Sequence, residues 1–467
     1  MKTFLLLFSA FISLAVASRT IGAPPAADEA GDQLIDVVVN LLSDKDKDMQ
    51  AIGLQQVREE VKGAAATKRF VELLPKLTPD ARAGLIDALG ARGDKTARGA
   101  VVEMLRAPEE QVRAAALRAL GFLGEAGDVP LMAQSLTAGA DTEKTAAKRS
   151  LEQIRAKGVD EKIVGELKAA NDPRRQTALI EIVQLRKTTA AMPVLLDLAV
   201  SEKADIRAAA LQALPQLAGT EDIPKLVAVL LKTESGPQRE AAEKAIMFAS
   251  ARNKYGNERA GPLLAVWEQL GDEQKTIVLP TLGRVGGPKA LKVVEEAIAS
   301  DNAPRRDAGV RALCNWPDAS VAGRLLEIVQ TSNNPDYRSW ALRALTRVAV
   351  LQDSRSDAER LELLKKAMTL ASGNEQRNYV LERAKAIRTM DSVRFVLSYM
   401  DKPELSQRAC ATLVELAHYR ELRDPNKAEF DTILDKVIDI CKDPTLVDYA
   451  KRYQRGETVD IRAKTAQ

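Results

Sequence analysis

Gln111-Val112-Arg113-Ala114-Ala115-Ala116-Leu117 and Asp205-Ile206-Arg207-Ala208-Ala209-Ala210-Leu211 are two copies of one theme that returns along almost the whole chain. With its Arg as position zero, the series runs Gln50, Arg82, Arg113, Lys144, Arg175, Arg207, Arg239, Lys275, Arg306, Arg338, Arg377 and Arg408. Steps are 31 or 32 residues, except 36 before Lys275 and 39 before Arg377. The longer steps place extra residues in loops, at 251–258 and 351–358. A fixed period of this length marks a solenoid: no unit can bury its apolar stripe alone, and stacked neighbours bury it together.

Around each theme, apolar and small residues recur at helical spacing, as in Val112, Ala115, Ala116, Ala119 and Leu120. Asp172-Pro173, Asn334-Pro335, Ala107-Pro108 and Thr78-Pro79 carry helix-start signals. Gly121, Gly124, Gly219 and Gly286-Gly287 read as stops. Each theme therefore opens one helix, B. A second amphipathic segment, A, lies between successive B helices, for example at 128–138, 222–232 and 288–299. Residues 32–43 supply the first A helix, and 429–441 with 445–455 the last pair. Pro215 and Pro280 fall inside B helices and predict kinks. The fold class is all-α, a solenoid of about 12–13 helix pairs running continuously over 32–455. Apolar residues at 46 % with aromatics at only 4 % suit thin helices packed through Leu, Val, Ile and Ala.

The run 107–124 (APEEQVRAAALRALGFLG), followed by Gly127-Asp128-Val129-Pro130-Leu131, resembles HEAT repeats of the short, phycobilisome-lyase-like type. The resemblance covers 32–455. It is strongest around Arg113, Arg207, Arg306 and Arg338, and weakest around Lys144, Lys275 and Arg377. It implies a right-handed superhelix with A helices on the convex side and B helices on the concave side.

Met1-Lys2, an apolar run over 4–16 and Ala15-Val16-Ala17 form the pattern of a secretory signal, with Ser18 as the new N-terminus. The alternative is an uncleaved N-terminal helix. The apolar run is too short for a comfortable membrane span, and no other stretch is long or apolar enough to cross a bilayer. Residues 18–31, with Pro24-Pro25, read as a flexible leader, and 456–467 as a polar tail. The expected address is the periplasm or the extracellular medium. Formal charge is +3, and loss of Lys2 with the signal lowers it to +2. That near-neutral balance offers no argument for nucleic acid as a partner.

Little catalytic chemistry is legible. The single histidine, His418, occupies a slot that holds Leu123, Leu217, Val285, Trp316 and Val348 in other repeats, so it reads as a packed or rim residue. Cys410 and Cys314 occupy slots held elsewhere by Ala and Gly and read as small buried residues. Three cysteines in all give no disulfide framework. Asp44-Lys45-Asp46-Lys47-Asp48 lacks the Gly and Glu of a calcium loop and reads as a helix-capping turn. No phosphate loop or metal cluster appears, so no cofactor is expected.

Eleven of the twelve position-zero residues are Arg or Lys, and Gln50 is the twelfth. Several copies carry a second cation five residues on: Arg118, Arg149, Lys244, Arg311 and Arg343. One reading is a ladder in which position zero pairs with Glu109, Asp205 or Asp336 of neighbouring repeats. The other is a discontinuous cationic strip for an acidic protein partner, with Arg113, Arg118, Arg207, Arg306, Arg311, Arg338, Trp340 and Arg343 as candidate contacts. Trp340 fills the small slot of Ala115 and Ala209. Its ring must either pack into a widened core or turn into the groove. The expected function is an exported, non-enzymatic protein-binding scaffold. The alternative implied by the resemblance is a lyase-like enzyme or enzyme subunit handling a chromophore or small molecule.

Overall fold

The computed structural model describes residues 27–459, with side chains from residue 33 onward. The expected signal at 1–17, most of the leader and the tail from residue 460 lie outside the described residues. Every regular element described is helical. Two compact units are present, one ending at Ala213 and one beginning at Leu214.

The B helices of the first unit are Lys47–Glu59, Pro79–Arg92, Glu110–Leu123, Asp141–Gln153, Pro173–Arg186 and the start of Ala204–Leu217. Those of the second are Pro237–Ala251, Asp272–Val285, Ala303–Cys314, Pro335–Ala349, Asn374–Ala384, Pro403–Ala417 and Pro444–Gln454. All twelve theme positions lie near the start of one of these helices. Each starts where the sequence supplies partners for its first N–H groups. Thr78 accepts from the Ala81 amide and Asp172 from the Arg174 amide, and Asn334 accepts from those of Asp336 and Tyr337. Asp46 likewise caps Lys47–Glu59, so the Asp/Lys run at 44–48 is a capping turn. Ile223–Lys232 and Pro288–Ile298 are A helices where expected. The first A helix, Ala27–Leu42, starts five residues earlier than the sequence suggests. The helices around Pro215 and Pro280 continue through both prolines.

The all-α solenoid is built on B-to-B packing, as between Pro79–Arg92 and Glu110–Leu123 or between Asp272–Val285 and Ala303–Cys314. Val112, Ala115, Ala116, Ala119 and Leu120 are all fully buried there. Small residues set the spacing. A Cβ built on Gly90 would stand 2.7 Å from Ala119 Cα, and one on Gly283 would stand 2.6 Å from Ala312 Cα. Gly121, expected to end its helix, instead lies inside it. A Cβ there would meet Ser150 Cα at 3.2 Å, and Ser150 Oγ donates to the Leu117 carbonyl.

A second device ties repeat to repeat. Arginines near B-helix C-termini reach back to the terminal carbonyls of the preceding B helix. Arg92 donates to Val57 O, Arg186 to Leu151 O and Ile154 O, Arg252 to Gln216 O, and Arg347 to Trp316 O. A helix C-terminus leaves carbonyls unmet and carries partial negative charge, so a guanidinium there satisfies both. These residues belong to neither basic series read from the sequence.

Candidate functional site

The position-zero arginines are committed inside their own repeats. Arg82 donates to Leu74 O and Leu77 O, Arg113 to Ala107 O and Pro108 O, Arg207 to Ser201 O and Glu202 O, and Arg306 to Ser300 O and Asp301 O. Each guanidinium closes the turn between A and B by capping the end of A. The expected acid ladder is present only in places: Arg113 pairs with Glu143 at 2.7 Å and Arg82 with Glu109 at 3.6 Å. Arg113, Arg207 and Arg306 therefore spend their donors internally, which is a correction to their placement in an open strip. Arg118 is similarly engaged, by Asp87 one repeat back. Arg338 differs. It is exposed, its backbone N–H donates to Asn334 O, and its guanidinium makes no hydrogen bond or ion pair among the described residues.

The other three candidates come together in the second unit. Trp340, two residues after Arg338, is half-buried and lines a hollow with Arg311 and Arg343. The flanking Ala341, Leu342 and Ala344 fill the core. The Arg311 guanidinium lies over the Trp340 ring at 4.0 Å and also pairs with Asp307 at 2.8 Å. Tyr337 packs beside Trp340 with ring centroids 5.7 Å apart. One repeat on, the arrangement recurs. Arg343 lies 4.9 Å over Tyr379, which stands two residues after Arg377 as Trp340 stands two after Arg338. Tyr379 was missed in the sequence reading, although counting the same slot into the next repeat would have found it.

Arg311, Trp340, Arg343 and Tyr379 line a hollow of about 300 Å³, with Cys314 and Arg347 in its wall. Burial pushes the Cys314 thiol up to about 12, so it is a thiol at neutral pH. A larger hollow of about 630 Å³ adjoins through Arg343 and Tyr379, and there Glu375, Glu382, Glu404 and Asp443 reverse the sign of the wall. Aromatic rings with cations stacked on them, on half-exposed helix faces, form an adhesive surface more than a reaction centre.

The remaining chemistry-bearing residues do not join this site. Cys410 is buried and, like Cys314 and Cys441, is a free thiol. His418 shares a hydrogen bond between Nδ1 and the Tyr453 hydroxyl at 3.0 Å and packs edge-on against Tyr419, as a rim histidine would. Among the described residues no group of three or more His, Cys, Asp or Glu is placed to hold a metal ion. No described helix is long and apolar enough to cross a membrane.

Residues 67–152 and 161–247 match the sequence model of HEAT repeats, and these segments are HEAT repeats. No curated protein matches the chain. Among solved structures it is similar to Kap121p bound to Ste12p, at 13 % identity and TM-score 0.47, over 91 % of this chain and 53 % of that one. It is similar to Kap121p bound to Pho4p at 14 % identity and TM-score 0.47, over 95 % and 55 %. Kap95p in a structure with RanGDP gives 14 % identity and TM-score 0.46, over 93 % and 66 %. The chain thus spans about half to two thirds of the length of these proteins.

Proposed function

We propose that the protein is an exported, non-enzymatic scaffold that holds an acidic protein partner on the face built by Arg311, Arg338, Trp340, Arg343 and Tyr379. The observation that carries this reading is the repeated stack of an Arg from one repeat over an aromatic ring of the next. In these two repeats large rings stand where Gly84, Ala115, Ala146, Ala209, Ala241 and Ala308 stand in other copies. Aromatic and Arg side chains that are half-exposed and preorganised by each other are the residue types that dominate binding hot spots. Unlike the position-zero arginines, Arg311 and Arg343 cap no backbone carbonyl; Arg311 pairs with Asp307 of its own helix, and Arg343 lies over Tyr379.

Export rests on Met1-Lys2, the apolar run at 4–16 and Ala15-Val16-Ala17. It places the protein in the periplasm or medium, and N-terminal sequencing of the purified protein should begin at Ser18. The 31- to 32-residue period supports the short, phycobilisome-lyase-like repeat type. A lyase-like activity would require that type to handle a bilin, and added bilin should leave the protein without a bound visible chromophore.

The partner test uses the chain from Ser18 as bait in envelope and culture-fluid extracts, beside the double variant Arg311→Glu/Arg343→Glu. A stoichiometric protein retained by the wild type and lost by the variant, with melting temperature unchanged, supports the reading. Retention by both removes this face from the function. A large drop in melting temperature would show that the two arginines hold the stack instead.

A further inference from the structure

We infer that the occupant of this face is an extended, proline-rich acidic segment in polyproline II conformation, crossing the B helices Ala303–Cys314, Pro335–Ala349 and Asn374–Ala384. The inference rests on the scaffold reading above and names the ligand of the same site. Three observations carry it.

The first is the spacing. The site repeats once per B helix, with Arg311 over Trp340 and then Arg343 over Tyr379. Packed helix axes lie about 8–10 Å apart. A polyproline II segment rises about 3.1 Å per residue with three residues per turn, so one of its edges returns about every 9 Å. A β-strand presents one face about every 6.7 Å and falls out of register after a single repeat. Aromatic-lined surfaces also suit the stiff polyproline helix, because little conformational entropy is lost on docking.

The second is charge. Arg311 and Arg343 line this face, with Asp307 the acid paired to Arg311, and the exposed Arg338 stands at the start of the second helix. On the third helix itself the wall becomes acidic at Glu375 and Glu382, and Glu404 and Asp443 continue it beside Arg408. The cations thus lie on the first two helices, and the span from the first helix to the third, roughly 20 Å, fits about six or seven residues of such a segment.

The third is the state of the rings. Each has one face already covered by a guanidinium, at 4.0 Å for Trp340 and 4.9 Å for Tyr379. Single-stranded nucleic acid binds by stacking bases on open ring faces. An acidic peptide instead meets the guanidinium edges while its proline rings contact the remaining aromatic surface.

The test titrates the synthetic peptide (Glu-Pro-Pro)3 into the whole chain from Ser18 while tryptophan emission and heat are recorded. Trp267 and Trp316 are 4 % and 1 % exposed, which leaves half-buried Trp340 as the reporter. Saturable binding is expected, with an emission change absent in Trp340→Phe. Affinity should fall about tenfold or more in Arg311→Glu/Arg343→Glu. Arg311→Gln/Arg343→Gln, which introduces no repulsion, should weaken binding in the same direction and guards against misfolding of the reversal variant. Equal affinity for (Glu-Gly-Gly)3 would overturn the polyproline conformation. Tighter binding of (Lys-Pro-Pro)3 would overturn the charge assignment, and tighter binding of oligothymidylate would overturn the peptide. If no peptide binds while a native partner still depends on Arg311 and Arg343, this inference fails and the scaffold reading stands. If no partner depends on them either, both fail.

Discussion

Replacing Arg186 by Ala tests the repeat-to-repeat clamp directly. The side chain is 5 % exposed. Its Nη1 donates to Leu151 O at 2.7 Å, Glu152 O at 3.2 Å and Ile154 O at 2.8 Å, and its Nε donates to Asp160 at 2.7 Å. A net hydrogen bond from a charged group contributes about 1.5–3 kcal/mol. The three carbonyls share one nitrogen, and the gap left by Ala admits water to them, so the carbonyl cluster counts as about one such bond. Adding a partial contribution from half-exposed Asp160, we expect a loss of about 3 kcal/mol. For a unit of this size that lowers its melting transition by about 6–12 °C. Calorimetry with hydrogen exchange on Asp141–Gln153 and Pro173–Arg186 reads the effect locally, which matters because a solenoid can melt in parts. Arg186→Met, which keeps most of the stem, should recover only the packing component.

The pH dependence supplies a second arm of the same test. Burial raises the Asp160 carboxyl, but hydrogen bonds from Arg186 and Thr188 and the Arg186 charge outweigh it and hold the group below the usual carboxylate range. A folded pKa below the unfolded one gives stability that is present above the unfolded value, near about 4, and is lost as pH falls through the folded value. The gap between wild type and Arg186→Ala should therefore narrow in acid. A shift under about 2 °C at neutral pH would refute the clamp, and a gap that does not change with pH would remove Asp160 from it.

Other expectations concern packing and reactivity. Gly90→Ala and Gly283→Ala should each destabilise by about 1–3 kcal/mol despite the better helix propensity of Ala, because the new Cβ meets backbone of the next B helix; denaturant titration measures it. Arg306→Ala, which uncaps the A helix before it, should cost stability without touching partner binding, whereas Arg311→Glu/Arg343→Glu should change melting by no more than a few degrees and remove binding. Trp340→Phe should abolish most of the acrylamide-quenchable emission, since the other two tryptophans are buried. Alkylation of the native protein at neutral pH should spare Cys314 and Cys410, whose thiols burial pushes up to about 12, and reach Cys441 first; prompt modification of Cys314 would show that the hollow is more open than its wall residues imply.

The period of the theme determined the fold class. Thirteen B helices, their proline and Asx starts and the buried stripe of Val112, Ala115, Ala116, Ala119 and Leu120 all follow from spacing, because helical amphipathicity and end-capping are local properties written in consecutive residues. The insertions expected at 251–258 and 351–358 are loops only in part: Ala251 ends a helix, Gly256–Glu258 is a 3-10 turn, and Asp357 opens the next helix. What the basic residues do was not legible in this way. Position zero and the fifth residue after it carry the same side chain in Arg306 and Arg311, yet one caps Ser300 O and the other lies over Trp340. Arg306 finds its acceptor six residues back in its own repeat, whereas the ring that Arg311 meets is 29 residues on and adjoins it only once repeats are stacked. The clamps at Arg92, Arg186, Arg252 and Arg347 were invisible for the same reason, because their acceptors are backbone carbonyls that any residue supplies. The sequence by itself determined where each helix begins and which face it buries. Only the tertiary structure decided which cations are consumed by helix ends and which, at Arg311 and Arg343, are left facing outward on aromatic rings.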